Sequence, residues 1–131
     1  MLTTVQALIF SGILTFVMLL VASGVCAKAW TPPGAQVAFG NRDNLPTPLG
    51  FGGRADRAAK NQMEAMVMFL SVVLAALVAG KAAQIATGAT VFFWARLVYW
   101  PVYLAGIIYL RTLVWFVGII GLVMMIKPLM P

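Results

Sequence analysis

The sequence predicts an all-α integral membrane protein, a bundle of four transmembrane helices running up and down, and three observations predict it. Of 131 residues, 63% are hydrophobic and 9% charged, against about 45–50% and about 25% in soluble domains. Uncharged runs long enough to cross a bilayer core of about 30 Å, roughly 20 helical residues, recur along the chain. The cations, which give a net charge of +6, gather near the ends of those runs. This composition excludes a water-soluble enzyme and a disordered chain. A single cysteine excludes a disulfide scaffold. With no histidine and only Asp43, Asp56 and Glu64 as acids, metal catalysis and histidine triads lack their parts, and no metal is expected.

The first run, Met1 to Ala27, carries no charge. Ala27-Lys28-Ala29 resembles a signal-peptidase site and Cys26 a lipoprotein cysteine. The absence of a basic leader and the length of the run favour a retained first helix. Ala65 to Gly80 is the second run, extended backwards by Arg57–Glu64. Ala82 to Leu110 is the third, interrupted only by Arg96, and Thr112 to Ile126 the fourth, ended by Lys127-Pro128. The expected helices are 4–27, 55–80, 88–109 and 111–127 in one domain, 1–131. Residues 28–54 hold Pro32, Pro33, Pro46 and Pro48 and several glycines, and read as a turn-rich loop without helix. The other connections are short, so neighbouring helices run antiparallel.

Orientation follows from Lys and Arg near the helix ends. Lys28, Arg42, Arg54, Arg57, Lys60 and Arg111 lie on the side of the long loop, and Lys81 and Lys127 on the other. The long loop is therefore expected in the cytoplasm and both termini outside it. The same bias explains the positive charge without nucleic acid as a partner. The methionines read as apolar filler, and Gly80, Gly88, Gly106, Gly118 and Gly121 as points of close helix packing.

Ionisable groups at bilayer depth are costly and read as functional by default. At about 100° per residue, Arg54, Arg57, Lys60, Asn61 and Glu64 share an arc of about 120° on the second helix. Ala58, Ala59 and Met63 form the packing side. Glu64 lies within helical reach of Lys60 and Arg57, which would neutralise it in part. The stripe still keeps net positive charge, and this calls for an external anion. Snorkelling at a membrane boundary accounts for Arg54 but poorly for Glu64, the deepest. Arg96, Tyr99 and Tyr103 likewise share one face of the third helix. Glu64 is the one deep acid available to pair with Arg96. The tyrosines also fit an interfacial belt, and Arg111 also fits a membrane anchor.

Arg54-Ala-Asp-Arg57-Ala-Ala-Lys60-Asn61-Gln-Met-Glu64, opening the second of four spans, resembles the signature of the MAPEG superfamily, the membrane-associated proteins in eicosanoid and glutathione metabolism. Its most specific element is Arg57, Ala58, Asn61 and Glu64. Ala95-Arg96-Leu97 through Tyr99 and Tyr103, then Gly106 and Leu110-Arg111-Thr112, is similar to the third-helix motif and the arginine opening the fourth helix in microsomal glutathione transferases. Phe39-Gly40-Asn41-Arg42-Asp43 is similar to bacterial members. The resemblance implies a homotrimer in a bacterial inner membrane, with glutathione as co-substrate bound between subunits and open to the cytoplasm. It implies that Arg54, Arg57, Lys60, Asn61, Glu64, Arg96, Tyr99 and Tyr103 bind glutathione, and that Arg111 lies beside its sulfur. Lys60 stands where some relatives have arginine, the first helix has no interior cation, and Pro101 falls between the tyrosines.

Two functions of different class follow. In the first, glutathione thiolate attacks a lipophilic electrophile or a lipid hydroperoxide that arrives through membrane lipid. In the second, the fold holds lipid or glutathione without catalysis, or serves as an accessory subunit of a larger membrane complex. A transporter is disfavoured, since no inverted repeat and no polar path through the outer half are present.

Overall fold

The computed structural model describes every residue except Asn44 and Pro46; Pro46, one of the prolines of the turn-rich stretch, lies outside the described residues. The first helix, α1, spans Thr4–Ala27. It starts on a capping box, in which the Gln6 N–H donates to the Thr3 hydroxyl at 3.2 Å and the Thr3 N–H donates to the Gln6 side chain at 3.0 Å. It ends at Lys28, which is left-handed with φ 51°. The Ala29 N–H returns to the Gly24 carbonyl and the Lys28 N–H to that of Val25, a Schellman closure.

The stretch 28–54 is not all loop. Pro32–Phe39 forms a short helix, α2, which corrects the turn-rich reading. The Thr31 hydroxyl accepts from the Gly34 N–H at 3.1 Å, and Pro32 takes the first helical position, where its missing N–H costs nothing. Gly34 is required there because a Cβ would collide with the Lys28 and Ala27 carbonyls. The next helix, α3, spans Gly50–Val78 and starts at Gly50, ahead of the expected residue 55. The Gly50-Phe-Gly-Gly run enters the helix where its composition suggested a turn.

Gly80, with φ 66°, and a short 3-10 turn at Ala82–Ile85 lead into α4, Ala86–Ala105. α4 continues through Pro101 and stops at Gly106, φ 78°. The Ile107 N–H there bonds the Val102 carbonyl and the Gly106 N–H that of Tyr103, again a Schellman closure. It cuts the helix short of the expected residue 109. The last helix, α5, follows at once, Ile108–Ile126.

Contacts fix the topology as up-down-up-down. Cys26 meets Gly52 and Thr15 meets Gln62, so α1 and α3 are antiparallel. Leu2 meets Thr90 and Phe10 meets Phe93, so α1 and α4 are parallel. Gly88 lies against Gly121 and Met125, and Ala95 and Arg96 against Gly118, so α4 and α5 are antiparallel. A Cβ on Gly121 would stand 2.7 Å from the Phe92 nitrogen. Glycine here lets two backbones approach, the packing device of membrane helices.

One apolar cluster gathers Ala7, Phe69, Val73, Ile85, Phe92, Leu122 and Met125. Within it Phe69 and Phe92 stack at 4.3 Å, a pair worth about 0.5–1.5 kcal/mol beyond its area. A second cluster, nearer the α2 end, joins Leu14, Met18 and Ala22 to Ala55, Ala58 and Ala59. The alanines of the expected packing side are thus buried, although Met63 is exposed. The outward surface is apolar, with Phe16, Val67 and Leu113 among its exposed residues. Three segments, α1, α3 and Ile108–Leu129, are long and apolar enough to cross a membrane. α4 is of similar length, about 30 Å at 1.5 Å per residue, and carries Arg96 near its middle.

Candidate functional site

Arg96 is the natural starting point, because a guanidinium inside an apolar bundle must find acceptors. It is only 2% exposed. Its Nε donates to Gln62 Oε1 at 2.6 Å and its Nη2 to Asn61 Oδ1 at 2.9 Å. Its face lies over Tyr99, 4.3 Å from the ring centroid, a cation–π contact. Glu64, the acid available to it, does not pair with it: Glu64 is solvent-exposed. The physical reason is rotation along the helix. Asn61 and Gln62 reach the Arg96 guanidinium, whereas Glu64, one turn on, stays at the exposed rim of the same recess.

From Arg96 the site extends toward the α4–α5 turn. Tyr99 and Tyr103 meet edge to face at 5.4 Å, and the Arg111 guanidinium lies 4.9 Å from the Tyr103 centroid. Asn61, Tyr99, Tyr103, Arg111, Thr112 and Trp115 line one cavity of about 250 Å³. A smaller recess of about 100 Å³, which shares Asn61 and Trp115 with it, is lined by Glu64, Arg96 and Gly118 among others. Six of the residues singled out from sequence therefore converge here: Asn61, Glu64, Arg96, Tyr99, Tyr103 and Arg111. Two arginines on tyrosine faces, with an amide between them, suit a ligand that carries negative charge.

The remaining stripe residues go elsewhere. Arg54 donates through Nε to the Leu104 carbonyl at 2.8 Å, so it holds the last turn of α4. Lys60 pairs with Asp56 at 2.8 Å, one helical turn away. That replaces the expected neutralisation between Lys60 and Glu64. Lys60 and Asp56 line a different cavity, about 490 Å³, between α1 and α3, together with Cys26, Met63, Arg42, Thr47 and Pro48. The stripe is one arc in sequence, but its residues divide between two cavities, Lys60 in one and Asn61 and Glu64 in the other, with Arg57 in neither.

A profile of the MAPEG family matches residues 4–128. The chain belongs to the MAPEG family. No curated protein and no solved structure matches it. With its apolar helices, this makes the chain an integral membrane protein. The arrangement also contains members that sequence reasoning passed over. Gln62 is fully buried, and Trp115 and Thr112 complete the cavity wall. For Gln62 a signal was present: it sits at helical spacing from Ala55, Ala58, Ala59, Ala65 and Phe69, the buried face of this MAPEG protein's α3. A polar residue on that face needs a partner. Trp115 and Thr112 carried no such mark, since the closeness of α5 to Asn61 comes from tertiary packing.

Proposed function

We propose that this MAPEG protein is a membrane-bound, glutathione-dependent transferase or peroxidase of four transmembrane helices, α1, α3, α4 and α5. The observation that carries the reading is the cavity in which Arg111, on Tyr103, and Asn61, bonded to Arg96, face one another. Glutathione offers two carboxylates, an ammonium and a thiol. Arginines hold carboxylates by charge-assisted, often bidentate bonds, and the Glu64 carboxylate suits the ammonium. Arg111 beside the sulfur favours thiolate, the nucleophilic form. A free thiol with pKa about 8.5 is only a few per cent ionised at neutral pH, so a shift of about two units supplies most of the activation.

In conjugation the thiolate sulfur bonds the electrophilic carbon and displaces the leaving group or adds to an activated double bond. In peroxide reduction it takes the terminal oxygen of a lipid hydroperoxide. The oxygen–oxygen bond breaks, the alkoxide leaves and takes up the proton lost on thiol ionisation to become the alcohol, and the resulting sulfenic acid condenses with a second glutathione to give the disulfide and water. Positioning and electrostatic stabilisation are the protein's contributions.

The proposed assembly is a homotrimer, and the divided stripe supports a site shared between subunits. Lys60 and Asn61 open into different cavities, so in this reading a ligand held by both lies between the Asn61 side of one subunit and the Lys60 side of the next. The six cations at the α2 end, against Lys81 and Lys127 at the other, support a cytoplasmic α2 end with both termini outside. A bacterial inner membrane completes the assignment.

The test is ultraviolet difference absorbance of thiolate as glutathione is added to detergent-purified protein, with Arg111→Ala alongside. The expected result is a saturable thiolate signal near neutral pH that the variant loses. Binding without thiolate in either protein removes the catalytic role of Arg111 and leaves a glutathione binder. Absence of binding leaves the accessory, lipid-holding role.

A further inference from the structure

A buried guanidinium can be satisfied in two chemically different ways. A carboxylate accepts its hydrogen bonds and cancels its charge, whereas an amide oxygen accepts the same bonds and leaves the charge in place. Around Arg96 the chain uses amides only, those of Gln62 and Asn61. The nearest sequence acid, Glu64, lines the same recess as Arg96 but is solvent-exposed, and among the described residues no carboxylate forms an ion pair with Arg96.

Gln62 is itself held. Because Arg96 can only donate, the Gln62 oxygen must face it, so the amide NH₂ points the other way. There Nε2 donates to Thr15 Oγ1 at 3.1 Å, and the Thr15 hydroxyl donates to the Ser11 carbonyl at 2.7 Å. A directional chain thus runs from the α1 backbone through Thr15, Gln62 and Arg96 to Asn61, which lines the cavity. Each member's orientation is set by the one before it. Gln62 is 0% exposed and touches neither cavity.

We propose that Gln62 is a positioning residue: anchored on Thr15, its neutral amide fixes the Arg96 guanidinium and, through it, Asn61, while leaving the charge of Arg96 uncancelled for an anionic ligand. The ligand's identity rests on the glutathione reading above; the positioning does not.

The experiment compares wild type, Gln62→Glu, Gln62→Leu and Thr15→Val in detergent micelles, with three measurements on each. These are proton exchange of the arginine Nε–H groups by NMR after ¹⁵N-arginine labelling, glutathione affinity by equilibrium dialysis, and thermal unfolding. Arg96→Lys assigns the signal. Wild type is expected to show an exchange-protected Arg96 Nε–H. Gln62→Glu keeps that protection and melts no lower than wild type, yet binds glutathione at least about tenfold more weakly, because the carboxylate now cancels the charge. Gln62→Leu loses both protection and affinity. Thr15→Val falls between, with affinity down by about two- to tenfold, the worth of one hydrogen bond.

A merely structural glutamine would be replaced by glutamate without effect on affinity. Gln62→Glu that binds like wild type therefore overturns the proposal, as does an unprotected Arg96 signal in wild type. If Gln62→Leu does not fold, Gln62→Glu decides alone. If wild type binds no glutathione, the functional reading fails; the positioning then stands if Gln62→Glu keeps the Arg96 protection and Gln62→Leu loses it, and falls otherwise.

Discussion

The two sides of α3 hold cations in opposite ways at nearly the same depth. On the α1 side, Lys60 meets Asp56 within its own helix, at 2.8 Å and with Lys60 70% exposed. That charge is answered locally and in contact with solvent. On the α4 side, Arg96 is buried and bonded to two neutral amides, and Arg111 rests on an aromatic face. In the first cavity Lys60 is answered within the chain by Asp56, whereas among the described residues neither Arg96 nor Arg111 forms an ion pair, and their charge is left for a ligand. An i,i+4 pair on an exposed helix face contributes little to stability, but an unanswered buried charge is expensive enough to define what must bind. Counting cations along the stripe misses this difference. Their partners decide it.

The comparison breaks most completely at Arg96. Arg96→Met removes the buried charge and strands the oxygens of Gln62 and Asn61. Glutathione binding is expected to fall by more than about 100-fold, and stability by about 2–4 kcal/mol, as two bonds from a charged donor are lost. Dialysis and thermal unfolding read both. Next in size is Gly121→Ala. Its Cβ would meet the Phe92 backbone at 2.7 Å, forcing α5 away from α4 at a cost of about 1–3 kcal/mol. Because α5 lines the Arg111 cavity and the recess beside Arg96 but not the cavity of Cys26, glutathione affinity should drop. The rate of maleimide labelling at Cys26, in the other cavity, should not change. Gly118→Ala is the contrasting case. A Cβ there lies 3.7 Å from the Arg96 stem, an ordinary contact, and affinity should stay within about twofold of wild type. The smallest effect belongs to Asp56→Asn, which breaks the exposed ion pair. No resolvable change in melting temperature is expected, and a clear drop would show that the Lys60 side is less self-contained than its geometry implies.

Much of the bundle is legible from residue type alone. Long uncharged runs leave few alternatives to helices, and α1 lies where its run of apolar residues put it, Thr4–Ala27. Boundaries governed by single residues are harder to read. Thr31-Pro32 reads as helix start as well as turn, and the bonds of Gly34 decide between them. Gly106 stops α4 at once through its left-handed backbone, whereas Gly50–Gly53 run into a helix. The candidate site was legible as a set of residue types. Its division was not, because a helical arc of about 120° is wide enough for its edges to face different neighbours. Gln62 shows the other limit. Its place on the alanine face announced burial, but that its partner would be Arg96 rather than Glu64's depends on how α3 and α4 are rotated against each other.

The order of helices along the chain has a consequence for how the protein reaches its membrane. In the proposed four-span arrangement, α4 is the segment least able to enter lipid by itself, since an arginine at mid-helix costs at least about 2.5–3.5 kcal/mol on insertion scales. Both amides that accept from Arg96 belong to α3, the helix synthesised immediately before it. In that arrangement the acceptors of Arg96 are already made when α4 emerges, so entry of α3 and α4 as a hairpin with these contacts formed would spare α4 that cost.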